Sequence, residues 1–429
     1  MPNRSPHKLN NHFMKNLGIL LKAVLTFNSP TDKLITEFFK TNHKLNHFER
    51  KLVGDTIYSL LRHYHKTTAA IANQHTAHND SQMSTSWNLI GLCWVQFLKL
   101  EQALYADINL VDFTELGSLE LGNDVPSQTE FPGWLLDKLA PYFSQTEIVQ
   151  LAQAMNQRAP LDLRVNLLKN NRKNIEQILQ QENIAYTLCP FSPLGIRLVT
   201  NTITPKYHLL TSGEVEIQDE SSQLACQLLM PKQNSMVVDF CAGSGGKALT
   251  CGMLMKNTGR IYALDSNENR LNKLQPRLLK SGLTNIYPQL ISHENDNKLE
   301  RLQNKMDYVF VDAPCSGLGT LRRNPELKLR QNPESITKLT AKQLAILTAA
   351  SKLVKAGGQI VYATCSILYE ENQAIVAAFL EAHPNFKLIP AKTALAKIPT
   401  LADITSDYLI LLPHIHNTDG FFAALLQRT

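Results

Sequence analysis

The chain contains no C-x-x-C pair, which excludes the common structural zinc sites. Its seven cysteines, Cys93, Cys189, Cys226, Cys241, Cys251, Cys315 and Cys365, are odd in number and scattered. That pattern argues against a disulfide framework and for a reducing compartment. The close pairs His75/His78 and His414/His416 lack a cysteine or carboxylate cluster to complete a metal site. They are read as surface or packing residues, and no metal is expected. Long hydrophobic runs are missing as well. The apolar stretch Leu17–Phe27 is broken by Lys22 and has no small-residue cleavage site after it. No membrane span or secretory leader is expected, so the reading is cytoplasmic. Neither sign of charge dominates: 43 Lys and Arg stand against 37 Asp and Glu, a net of +6. Such a balance permits a polyanionic partner without demanding one. No internal repeat or low-complexity tract stands out.

What is present is an ordinary globular composition, 44% hydrophobic over 429 residues, enough for two or three domains. Residues from about 15 to 110 carry apolar positions at helical spacing, as in Leu52, Ile57, Leu60 and Leu61. Lys44, Arg50, Lys51, Arg62, His63, His65 and Lys66 flank them, read first as a solvated face. Asn79–Ser86 is expected as a loop and Gly117–Glu130, rich in Gly, Ser, Asn and Pro, as a linker. A small α+β unit is expected from about Pro132. From Glu216 onward strands alternate with helices, which points to a doubly wound parallel sheet. The expected domains are a helical one over 1–125, a small α+β one over 130–212 and an α/β one over 213–429.

The turn Cys241-Ala242-Gly243-Ser244-Gly245-Gly246-Lys247 follows the strand-like run Met236–Phe240. Its glycines let backbone approach a ligand and open a helix whose amides face it. A phosphate-binding P-loop is excluded twice, by Cys241 in place of the first glycine and by Ala248 in place of Ser or Thr. Asp265 ends the next strand, where a carboxylate can accept both ribose hydroxyls of an adenosine-type ligand. These two features alone do not separate NAD from S-adenosylmethionine.

Two further strand-like runs each deliver a cysteine: Asp312-Ala313-Pro314-Cys315-Ser316-Gly317 and Ala363-Thr364-Cys365-Ser366. Reactive groups in an α/β sheet collect at the carboxyl ends of strands. Most cysteines are inert small hydrophobes, and Cys93, Cys189, Cys226 and Cys251 are read that way. Cys315 and Cys365 differ because polar, turn-forming neighbours surround them. Asp312, placed between strand and turn, can hold the Watson–Crick edge of a base.

The run from Asp312 through Arg322-Arg323-Asn324-Pro325-Glu326-Leu327-Lys328 resembles motif IV of the Sun-type (Fmu-like) RNA cytosine-5-methyltransferases. Tyr362-Ala363-Thr364-Cys365-Ser366, with Glu370-Glu371-Asn372 beyond it, is similar to their motif VI. Gln218-Asp219-x-Ser221-Ser222-Gln223, the glycine turn and Asp419-Gly420-Phe421-Phe422 match further signatures in the same order. The resemblance covers Pro132 to the end; the helical part resembles the RNA-binding domain of the bacterial 16S ribosomal RNA members. It implies a Rossmann-like methyltransferase domain preceded by a small α+β domain and an N-terminal helical domain. It implies S-adenosylmethionine as cofactor, small-subunit ribosomal RNA as partner, and a monomer. Cys365 would be the nucleophile at carbon 6 of the target cytosine and Cys315 would release the product. Asp312 and Lys247 would contact the base. Cofactor contacts would come from Cys241, Ala242, Gly243, Ser244, Gly245, Gly246, Lys247, Asp265, Arg270 and Asp312. Glu294 and Asp296 both stand where an acid near the adenine is expected. The first turn reads Ala-Gly-Ser-Gly-Gly where many relatives have Ala-Ala-Pro-Gly-Gly.

The chemistry accounts for such a set. Carbon 5 of cytosine is a weak nucleophile, and thiolate addition at carbon 6 turns it into part of an enamine. The target base must leave its stack to be reached. Arg322, Arg323, Lys328 and Arg330, beyond the Cys315 turn, are expected to hold backbone phosphates. Rival readings are an RNA-binding assembly factor without turnover, a dinucleotide-dependent oxidoreductase, and a DNA cytosine methyltransferase with Cys315 as nucleophile.

Overall fold

Apolar positions three and four apart on His47–Arg62 bury Leu52, Val53, Ile57, Leu60 and Leu61 on one side of a helix. Its start is written in the sequence. Asn46 accepts from the Glu49 amide at 2.9 Å while the Glu49 carboxylate accepts from the Asn46 amide at 2.9 Å, a reciprocal cap that satisfies two otherwise orphaned donors. In the computed structural model, residues 8–74, 82–199, 203–204, 206–396, 398 and 407–429 are described; His75 and His78 lie outside them. The helices Asn11–Val24, Thr31–Thr41, Tyr64–Gln74 and Gln82–Leu92 share this core with Trp94, whose Nε1 donates to Thr56 Oγ1 at 2.8 Å. Leu17, Leu20, Leu21 and Val24, the apolar stretch around Lys22, are buried on the first of these helices. Among the described residues, no helix is long and apolar enough to cross a membrane.

Two expectations fail in this region. The loop expected at Asn79–Ser86 is helical from Gln82 onward; Asn79, Asp80 and Ser81 lie outside the described residues. The expected linker Gly117–Glu130 is exposed or half-buried as far as Pro126 and without regular structure over residues 119–124, but it ends in a helix at Val125–Thr129, capped by Asp124, with Ser127, Thr129 and Glu130 buried. Its polar residues serve as caps and turn formers, a use that composition does not distinguish from flexible chain.

The chain divides into two compact units. The first runs to Gln157 and includes Leu321–Asn332; the second comprises Arg158–Thr320 and Pro333–Thr429. The small sheet therefore groups with the second unit. Its strands are β1 (Leu161–Val165), β2 (Tyr186–Leu188), β3 (Gly195–Leu198) and β4 (Val215–Ile217), ordered β2-β3-β1-β4 and antiparallel throughout.

The large sheet contains β5 (Met236–Asp239), β6 (Arg260–Asp265), β7 (Ile286–Leu290), β8 (Met306–Asp312), β9 (Val354–Thr364), β10 (Phe386–Ile389), β11 (Leu409–Leu411) and β12 (Phe421–Arg428). The order is β10-β12-β9-β8-β5-β6-β7, with β11 beside β12. Strands β9, β8, β5, β6 and β7 are mutually parallel. The wholly parallel sheet expected from the alternation is corrected at one edge: β12 runs antiparallel to β9, and β10 and β11 antiparallel to β12. A strand buried on both faces has the same apolar pattern in either direction, so the sequence carried no sign of the reversal. Alternate residues feed two cores, Phe310, Val361 and Ala423 on one face and Val309, Ile360 and Tyr362 on the other. The order turns back at β5, and the carboxyl ends of β5, β6, β8 and β9 meet at this switch point.

Candidate active site

Backbone geometry explains the glycines of the first turn. Gly243 and Gly245 have φ of +56° and +82°, the left-handed region. A Cβ on Gly245 would lie 2.1 Å from Leu274 Cδ1, and one on Gly243 would lie 2.5 Å from an Arg270 guanidinium nitrogen. The turn is held from outside. Arg277 donates to Ser244 O at 2.6 Å and to Ser244 Oγ at 3.0 Å, and is itself gripped by Glu216 on β4 through two hydrogen bonds of 2.6 and 3.2 Å. Arg164 on β1 reaches the same Glu216 at 3.4 Å and donates to Gln218 at 2.7 Å. Gln218 in turn donates to Gly246 O at 3.4 Å. The small sheet thus fixes carbonyls on both sides of Gly245.

Asp265 closes β6 beneath this turn. Its Oδ2 accepts from the Gly243 amide and its Oδ1 from the Asn267 amide, both at 2.7 Å. Each oxygen retains a lone pair for a further donor. A cavity of about 380 Å³ opens beside it, lined by Phe240, Cys241, Asp265, Arg270, Ile291, His293, Glu294, Asp312, Pro314, Cys315, Ile346 and Cys365 among others. Phe240, Ile291, Pro314 and Ile346 supply apolar wall for a flat ring, and Asp265 an acceptor pair for a diol. The residues therefore fit an adenosine-type cofactor, with Glu294 rather than Asp296 at the rim. Asp296 is committed to its own turn, accepting from the Ser292 and Lys298 amides at 2.7 and 2.9 Å. Those amides hold its carboxyl down at about 2.

The reactive end of the cavity is built at the ends of β8 and β9. The Cys315 and Cys365 sulfurs lie 3.4 Å apart, within hydrogen-bonding reach, and both residues are half-buried. The hydrogen bond to Cys365, then burial, then the charges of Cys365 and Glu371 raise the Cys315 thiol well above an ordinary cysteine. Lys247 donates to Asp312 Oδ2 at 2.7 Å. Burial alone would lower the ammonium's pKa, but the charge and hydrogen bond of Asp312 outweigh it and raise it further. Lys247 is therefore a fixed cation, and Cys365 is among the groups whose negative charge would favour it. Cys241 sits on the cavity wall with its thiol raised by burial.

The expected residues divide clearly. Cys315, Cys365, Asp312, Asp265, Arg270 and Cys241 line one cavity, and Lys247 reaches it through Asp312. Ala242, Gly243, Ser244, Gly245 and Gly246 supply the turn behind it. Two of the four residues expected to hold phosphates, Lys328 and Arg322, do not face solvent. Lys328 is 1% exposed and donates to the Arg62 carbonyl at 2.9 Å and to Asn156 Oδ1 at 3.2 Å within the helical unit. Arg322 is also buried, while Arg323 is half-buried. A basic run reads alike in sequence whether it coats a surface or anchors a segment. Sequence reasoning also missed Arg277, Glu216 and Gln343. Glu371 was visible only as one letter of a motif.

Comparison with known proteins gives matches along this part of the chain. Residues 226–427 match a family model described as "16S rRNA methyltransferase RsmB/F", and residues 131–203 one described as "Methyltr_RsmF/B-like, ferredoxin-like domain". A "Probable ribosomal RNA small subunit methyltransferase B" of Synechocystis sp. is 37% identical over 306 residues, 70% of this chain and 67% of that protein. A "28S rRNA (cytosine-C(5))-methyltransferase" of Mus musculus is 31% identical over 328 residues, 72% of this chain and 40% of that protein. The crystal structure of PH0851 superposes with a TM-score of 0.80 at 24% identity, covering 98% of this chain and 100% of that one, a likeness of fold.

Proposed function

The chain belongs to the 16S rRNA methyltransferase RsmB/F family, and from that premise we propose that it methylates carbon 5 of a cytosine in small-subunit ribosomal RNA through a covalent adduct on Cys365. One observation carries the reading: two thiols 3.4 Å apart share a cavity wall with a carboxylate that holds a half-buried ammonium at 2.7 Å.

The cofactor, S-adenosylmethionine, supplies an electrophilic methyl group. Asp265 would accept from its ribose, and the apolar wall would take its adenine. Asp312 accepts from the exocyclic amine of the flipped cytosine, while Lys247 stabilises negative charge near the pyrimidine ring. Cys365 adds as thiolate to carbon 6, so a carbon–sulfur bond forms and the ring electrons move onto carbon 5. Carbon 5 takes the methyl group as the methyl–sulfonium bond breaks and the neutral thioether leaves, then gives its proton to water; the electron pair of that carbon–hydrogen bond returns to the ring and expels the Cys365 thiolate. Cys315 adjoins the sulfur that must leave and serves this release.

The test uses RNA carrying 5-fluorocytosine at the target, whose carbon–fluorine bond cannot lose a proton. Wild-type enzyme should form a protein–RNA adduct stable to denaturing electrophoresis. Cys365→Ala should form none and lose methyl transfer by more than a thousandfold. On unmodified RNA, Cys315→Ala should accumulate the adduct. Adduct formation by Cys365→Ala, lost instead in Cys315→Ala, would reverse the assignment. Bisulfite sequencing of ribosomal RNA with and without the gene identifies the target base.

A further inference from the structure

Glu371 is fully buried, yet its carboxylate is among the most heavily hydrogen-bonded groups near the cavity. Oε1 accepts from the Ser316 amide at 2.8 Å and from Gln343 Nε2 at 2.9 Å. Oε2 accepts from the Ser316 hydroxyl at 2.5 Å and from the Ser366 hydroxyl. Ser316 follows Cys315, and Ser366 follows Cys365. One carboxylate therefore grips both cysteine-bearing turns one residue beyond each sulfur. Its surroundings are fixed in turn: Tyr362 donates its hydroxyl to Glu371 O at 2.6 Å, and Gln343 also donates to Pro314 O at 3.0 Å, just ahead of Cys315. The next residue, Asn372, accepts from Thr364 Oγ1 at 2.5 Å and donates to Ser366 O at 3.0 Å, bracketing Cys365 from its other side.

We propose that Glu371 is the positioning residue that sets the separation and division of labour of Cys315 and Cys365. It touches neither thiol. The other links described between the turns at the ends of β8 and β9 involve no charged group: a Ser316–Ser366 hydroxyl contact of 3.2 Å, the Cys315–Cys365 sulfur contact of 3.4 Å and the Gly319 amide to Cys365 O at 2.9 Å. The charges facing the pair are opposed. Lys247 and Asp312 stand on the cavity side, while the hydrogen bond to Cys365 and burial raise the Cys315 thiol and the Glu371 charge behind it adds to them. Cys315 is thus kept protonated next to the sulfur that must add and leave as thiolate. The division of roles rests on the reading given above; the positioning itself does not.

Glu371→Gln keeps shape and removes charge, converting Oε2 into a donor. The hydroxyls of Ser316 and Ser366 then lose the acceptor they share. A readout independent of turnover is phenylarsine oxide, whose trivalent arsenic bridges two adjacent thiols. The wild-type protein, free of RNA, should bind it in a dithiothreitol-reversible manner, and Cys315→Ala should bind it far more weakly. Glu371→Gln should weaken this binding about tenfold or more and lower kcat about thirtyfold, with KM for the cofactor within twofold. Gln343→Leu, which keeps the carboxylate, should show a smaller loss of both. Arsenical binding and kcat within twofold of wild type in Glu371→Gln would overturn the proposal. So would a loss in which KM for the cofactor rises in step with the fall in kcat. If Glu371→Gln does not fold, Gln343→Leu decides by the same two readouts, wild-type values overturning the proposal. Methyl transfer by Cys365→Ala would sink the covalent reading alone, leaving the arsenical result to judge Glu371.

Discussion

Asp239 ends β5 beneath the glycine turn, fully buried and without a well-formed hydrogen bond to either side-chain oxygen among the described residues. Burial first, then the nearby Asp312 charge, raises its carboxyl to about 7, with Lys247 and the Ala248 amide offsetting part of the shift. The folded state therefore holds a proton between about pH 4 and 7 that the unfolded chain has released. Stability contributed by this group is present below the unfolded pKa and is lost as pH rises through the folded one. At about 1.4 kcal/mol per pKa unit, the effect is on the order of a few kcal/mol. Asp239→Asn should consequently melt higher than wild type at pH 8 and show little gain at pH 5, in thermal melts at both values. An equal shift at both pH values would mean that Asp239 is ionised throughout.

At the scale of elements, the site depends on backbones that touch. Gly319 donates its amide to Cys365 O at 2.9 Å, and Gly420 donates to Gly319 O at 2.8 Å. A Cβ on Gly319 would lie 2.0 Å from Gly420 O and 2.8 Å from Cys365 O. Both neighbours are backbone and neither can yield without moving β9 or the entry to β12. Gly319→Ala should cost about 3 kcal/mol in urea unfolding and should depress turnover further by shifting the Cys365 turn. The clamp on the glycine turn makes a separate prediction. Removing Arg277 frees Ser244, in a turn whose glycines impose no shape of their own, and leaves Glu216 with Arg164. Arg277→Ala should weaken S-adenosylhomocysteine binding about tenfold by calorimetry, and the stabilisation seen in thermal shift should shrink accordingly. Unaltered binding would assign the clamp to stability alone.

Over the whole molecule, each unit has its own core, and the segment Leu321–Asn332 belongs to the helical one. Lys328 lies at its centre. Burial lowers its ammonium to about 7, opposed by Glu130, and the ammonium's hydrogen bonds go to Arg62 O and Asn156. An interior lysine of this kind releases no counterions from RNA. Lys328→Met should therefore leave the slope of log binding constant against log salt unchanged, even if the variant is less stable. A true phosphate contact would lower the slope by about 0.7 for a single strand, and Arg323→Ala is the comparison that should show it. A reduced slope in Lys328→Met would return that residue to the RNA surface.

The sequence by itself determined the α/β alternation, the cysteines at strand ends, the glycine turn and Asp265, because local propensity and motif spacing are properties of neighbouring residues. Tertiary structure alone decided what depends on residues far apart in the chain. It turned β12 antiparallel, since a doubly buried strand reads the same both ways. It sent Lys328 and Arg322 inward, since basic residues are written alike on a surface and at an anchor. It chose Glu294 over Asp296 for the cavity rim, because Asp296 caps its own turn. It also brought Cys315 within 3.4 Å of Cys365 across fifty residues of chain, because β8 pairs with β9 and Glu371 is bonded to both turns.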